Sequence, residues 1–132
     1  MKRPSNRWTF ASLASEVEMQ GLRISWEAME PGFSGAVDLV SGTVFLDRQL
    51  DSQPRYALSV LAHELGHYSL GHTCAQSRNG EALADEWAAR LLIHPDEYRH
   101  AEHAYGANLY WLSFELGVSQ RIVKAFQTTL AA

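Results

Sequence analysis

The segment His63-Glu64-Leu65-Gly66-His67 constrains this chain more tightly than any other stretch. In a helix each residue advances by about 100°, so the two histidines lie about 40° apart around the axis. Imidazoles placed this way can share one divalent metal ion, and Glu64, about 100° from His63, can reach a water held there. The carrier helix is predicted over residues 54–70, with Pro54 in its first turn and Gly71 as its stop. Opposite the histidines the helical wheel places Leu58, Leu61, Leu65 and Tyr68. Ser59, Ala62 and Gly66 make a flank of small side chains that another element can approach. A helix patterned like this runs through the middle of a domain, with His63 and His67 facing the interior or a cleft.

Hydrolytic zinc needs a third protein ligand and an open position. A second helix is predicted over residues 79–93, ending before Pro95. Glu81, Asp85, Glu86 and, further on, Asp96 are the acidic candidates. Glu81 and Asp85 share the side of the apolar stripe formed by Ala84, Ala88, Leu91 and Leu92. Glu86 and Arg90 lie on the other side, four apart, as a solvated ion pair. Carboxylates facing a core are costly unless a cation or hydrogen-bond donors meet them. Glu81 is therefore assigned as the third ligand. Asp85, one turn on, is assigned as acceptor for the second ring N–H of a ligand histidine, His63 first. The plainer account, an acidic first turn favoured by the helix dipole, suits Glu81 better than Asp85.

Elsewhere, an opening amphipathic helix is predicted over residues 4–20, with Trp8, Phe10, Leu13 and Val17 inward. Strands follow at 22–26, 36–40 and 43–47, the last two joined through Ser41-Gly42. Helices at 107–116 and 119–130 close the chain. Strands first and helices later make an α+β fold, a single domain over 1–132 with a sheet of about three strands. The turn Leu116-Gly117-Val118-Ser119 has a helix-turn-helix look, but a packed helical hairpin is the better reading. A net charge of −4 gives no general attraction to nucleic acid or an anionic membrane. The chain is 46% hydrophobic and 20% charged, which excludes disorder. No apolar run is long enough for a signal peptide or a membrane span. Cys74 is the only cysteine, so no internal disulfide forms and a cytoplasmic location is expected.

HELGHYSLGH followed by EALADEWAARLL resembles the ImmA/IrrE family of metallopeptidases. More broadly it is similar to gluzincin-type zinc peptidases, in which a downstream E-x-x-x-D helix completes the site. The likeness covers about residues 55–95. Trp87 stands where Phe is usual, and Leu-Leu-Ile-His-Pro carries one residue more than the common pattern. The resemblance implies a zincin-like helical core, with His63, His67 and Glu81 as zinc ligands, Glu64 as catalytic base and Asp85 as orienting acid. It also implies limited cleavage of a regulatory protein, a helix-turn-helix repressor, in stress or mobile-element control in a bacterium or phage. His72, which the family often shares, reads here as a helix-end contact, and Cys74 as an inert thiol.

The expected reaction is zinc-assisted peptide hydrolysis in which Glu64 takes a proton from water and later passes it to the leaving amine. The ligands do not by themselves select zinc over Mn²⁺ or another divalent ion. An extended substrate is expected along a sheet edge formed by the strand at 43–47. Tyr98, His100, His103, Tyr105 and Tyr110 remain open as oxyanion donors. The rival reading is a non-proteolytic module, stapled by zinc, that binds and inactivates a transcriptional regulator.

Overall fold

The computed structural model describes residues 7–71 and 78–131, the Arg78 side chain excepted; His72 and Cys74 lie outside them. Helix α1 (Phe10–Met19) starts where Thr9 and Ser12 cap each other. The Thr9 hydroxyl accepts the Ser12 N–H at 3.1 Å, and Ser12 Oγ accepts the Thr9 N–H at 2.9 Å. This reciprocal box explains why residues 7–9 stand outside the helix and why it starts at residue 10; residues 4–6 of the expected helix lie outside the described residues. Leu13 and Val17 are its buried face.

Strands β1 (Arg23–Glu27), β2 (Gly35–Asp38) and β3 (Thr43–Asp47) form one mixed sheet in the order β1-β3-β2. β1 runs parallel to β3, with Ile24 beside Val44, while β2 runs antiparallel to β3, with Val37 beside the same residue. β3 is therefore the central strand, and the expectation that it offers a free edge for substrate is wrong. Alternation and turn residues reveal strands but not their lateral order. Here a long loop carries the chain past the middle position, and the hairpin returns to fill it. β2 also stops at Asp38 rather than 40. The Asp38 carboxylate accepts from the Val40 N–H at 3.0 Å and the Ser41 hydroxyl at 2.9 Å, pulling the backbone into a turn.

A short 3₁₀ turn (Arg48–Ser52) leads into α2 (Pro54–Leu70), which ends at Gly71 with φ 70°, the left-handed conformation glycine adopts without strain. Then come α3 (Arg78–Leu92), α4 (Pro95–Tyr105), α5 (Leu109–Leu116) and α6 (Gln120–Ala131). α4 is absent from the sequence reading, because PDEYRHAEHAY is polar on average and buries only Tyr98 and Ala101. Its start is nevertheless well specified: Pro95 occupies the first turn and His94 Nδ1 accepts the Asp96 N–H at 3.0 Å. Tyr98 packs its ring 5.0 Å from Phe126, and its hydroxyl accepts from Gln127 Nε2 at 3.1 Å, docking α4 on α6.

The fold is α+β, six helices and a three-stranded mixed sheet among the described residues. α2 meets α1, the sheet and α3, so it runs through the centre. Leu58, Leu61 and Leu65 are buried as the wheel predicts. Tyr68 is not; residues 68–70 are all exposed, and the helix outruns the core there. Among the described residues no helix is long and apolar enough to cross a membrane.

Candidate metal centre

The site depends first on how closely α3 can approach α2. At Gly66, a Cβ would stand 2.9 Å from the Ala84 carbonyl oxygen and 3.2 Å from its Cα, so only glycine permits this crossing. Ala84 and Ala88 present the matching small face of α3, both fully buried. Glu81 lies one turn before Ala84 and Asp85 one residue after it. The close crossing therefore carries both carboxylates to the histidine face of α2.

Three side chains converge. His67 Nε2 lies 2.8 Å from Glu81 Oε2, His63 Nε2 lies 3.1 Å from Glu81 Oε1, and the two Nε2 atoms are 3.1 Å apart. The imidazoles meet edge-on, with planes at 87°. Ligands about 2.0–2.2 Å from a tetrahedral zinc stand about 3.4 Å from one another, so a slight widening of this triangle admits the ion. His67 is 1% exposed, and the Glu81 side chain is a third exposed toward the cleft. Nitrogen, nitrogen and carboxylate oxygen around one point is a donor set that fits a divalent transition metal.

Asp85 meets His63 from behind, with Oδ1 2.7 Å from Nδ1. With the proton on Nδ1, the Nε2 lone pair points at the ligand triangle. Burial by itself lowers the His63 pKa, but the Asp85 hydrogen bond and the charges of Glu64, Asp85 and Glu81 outweigh it and raise the value. Burial raises that of Asp85, yet its bonds from His63 and Arg121 hold the carboxyl below the usual range.

Glu64 differs from the other acids here. It is 6% exposed, and Oε1 has no hydrogen-bond partner among the described residues. Burial pushes its carboxyl up to about 7. A buried, unpaired carboxyl is costly, and such groups mark sites of function more often than of packing. It is held in place by β2. A Cβ on Gly35 would stand 2.7 Å from Val60 Cγ1, 2.9 Å from the Phe45 carbonyl oxygen and 3.3 Å from Glu64 Cγ. The glycine lets the edge strand lie against α2 beside the Glu64 side chain.

These groups open into a cleft of about 620 Å³, lined by residues 32–36 of the β2 region, by Tyr56, Ser59, Val60, His63 and Glu64 of α2, by Glu81 and Asp85, and by residues 119–122. The five residues left open as oxyanion donors do not line it: Tyr98 is buried with its hydroxyl bonded to Glu102 and Gln127, and the other four are exposed outside the cleft. Asp96 also lies away, beside Arg99 at the start of α4.

Sequence reasoning missed Arg121. From the first turn of α6 its Nε donates to Asp85 Oδ2 at 2.7 Å, and its Nη2 reaches Glu81 Oε1 at 3.4 Å. One signal was available: Glu64, Glu81 and Asp85 gather three carboxyls around two imidazoles, an excess that calls for a further cation. Compared with family models, curated proteins and solved structures, the chain finds no match in any of the three.

Proposed function

We propose that this chain is a zinc-dependent endopeptidase with a zincin-like core. The observation that carries the reading is the buried carboxyl of Glu64, whose Oε1 has no partner among the described residues, next along the helix from His63 and lining the same cleft as His63 and Glu81. A purely structural metal needs ligands but no such group, so this observation weighs against the staple-only alternative. His63, His67 and Glu81 would hold the ion, and Asp85 would fix the tautomer and orientation of His63. When bound, zinc makes water more acidic and polarises a carbonyl.

The protein's own groups supply the rest. Glu64, with a pKa near neutrality, is suited to take a proton from water and return it to the departing amine. Of the two outer strands it is β2 that borders the cleft: it pairs only with β3 among the described residues and contributes Gly35 and Ala36 to the cleft wall. An extended segment can add to this edge through backbone hydrogen bonds and lay a scissile bond over Glu64. Such a site selects flexible, exposed stretches of protein. That property fits the regulatory protein, a transcriptional repressor, implied by the resemblance to ImmA/IrrE peptidases.

The test is a zinc-loaded preparation incubated with the product of the gene that neighbours this chain's own, with and without chelator. Chelator-sensitive cleavage, lost by about 10²–10⁴-fold in Glu64→Gln while zinc stays bound, is the expected result. Equal release of the partner by wild type and Glu64→Gln, without a cut, would overturn the proposal in favour of a binding module.

A further inference from the structure

Resting on that hydrolytic reading, we propose that Arg121 stabilises the negative charge that develops on the scissile carbonyl oxygen. As water adds to the carbonyl carbon, the C=O π pair moves onto oxygen. When the pair returns, the C–N bond breaks and the amine leaves with the proton from Glu64. A charge-assisted donor aimed at that oxygen lowers the barrier. Among the described residues that line the cleft, Arg121 is the sole lysine or arginine. The other polar side chains of the wall are hydroxyls, the Gln120 amide, His63 and the acids.

Its placement is specific. Gly117, with φ 73°, turns the chain out of α5, and Val118 is buried. The Ser119 N–H then donates to Ser59 Oγ on α2 at 2.9 Å, pinning the start of α6 one helical turn before His63. Arg121 thus reaches the ligand triangle at Glu81, the Oε1 atom of which also lies 3.1 Å from His63 Nε2. Two of its nitrogens are tied to Asp85 and Glu81, and Nη1 makes no hydrogen bond among the described residues. The side chain remains 62% exposed. The guanidinium presents five donors in a planar fork, so it can be held by the acids on one edge and offer the other to substrate. Lysine carries its three donors on one nitrogen and does not span the acids and a substrate oxygen in the same planar arrangement.

The test separates stabilisation of this charge from a merely supporting role toward Asp85 and Glu81. Zinc-loaded wild type, Arg121→Met and Arg121→Lys are titrated with an N-phosphoryl dipeptide amide, whose anionic tetrahedral phosphorus imitates the developing charge. Zinc affinity is measured alongside by chelator competition. In Arg121→Met the probe should bind about 10²–10³-fold more weakly, with turnover falling in parallel and zinc affinity changing by less than about tenfold. Added methylguanidinium should restore part of both losses. Probe binding that is unchanged in Arg121→Met, or absent from wild type, overturns the proposal. Binding that depends on Arg121 in a protein that cuts no peptide would leave this anion site standing and refute the hydrolytic reading instead.

Discussion

Replacing Glu64 by glutamine removes one ionisable group from the interior and leaves its shape almost unchanged. In the folded, metal-free protein the carboxyl titrates at about 7, against 4.5 for an unburied glutamate. That difference corresponds to about 3 kcal/mol in favour of the neutral form. The sign follows from the folded value lying above the unfolded one. Below pH 4.5 both states hold the proton, and the group's contribution to stability is intact. As pH rises, the unfolded chain ionises first, and the contribution is lost until pH passes about 7. Wild type should therefore lose about 2–3 kcal/mol from this group between pH 5 and pH 8, and Glu64→Gln should not. Any fixed cost of burying the amide is the same at both pH values and drops out of the comparison. Urea unfolding of both proteins in chelator, at pH 5 and pH 8, measures the effect. A stability difference between wild type and Glu64→Gln that is identical at the two pH values would show that Glu64 ionises like a solvated carboxyl, and the case for a poised base would fail.

Zinc binding should release a proton, because the raised pKa of His63 keeps its ring protonated in the metal-free protein to higher pH than usual. Affinity measured by chelator competition should therefore fall by up to about tenfold per pH unit below that pKa, and a pH-independent affinity would contradict the assignment. Asp85→Asn should weaken zinc binding by about 10–100-fold without unfolding the protein, checked by competition and circular dichroism. Gly66→Ala should push α3 away from α2. The expected cost is about 1–3 kcal/mol in urea unfolding, with loss of zinc affinity, since Glu81 retreats from the histidines.

Local chemistry made much of this protein readable from its residues. α2 appears where Pro54 and Gly71 bracket an apolar period, and His63 and His67 share a face because 3.6 residues make a turn. Glu81 and Asp85 could be picked from α3 because carboxylates on an apolar stripe demand partners, and the structure brings both to the histidines. α4 was missed because its stretch is polar on average: with two buried residues in eleven its apolar face is narrow, and capping and Tyr98 docking help to specify it.

What tertiary structure alone decided is whatever depends on contacts between distant segments. The placement of β3 between β1 and β2 is one case, since a strand's own pattern does not name its neighbours and the same alternation suits an edge or a centre. Arg121 is the other. It lies 36 residues beyond Asp85 and 40 beyond Glu81, and nothing nearby in the chain marks it. The Ser59–Ser119 bond and the packing of α6 on α3 deliver it. Helical periodicity acts over one turn and is written in adjacent residues. A cation opposing buried acids is chosen by a charge balance that exists only once the helices have packed.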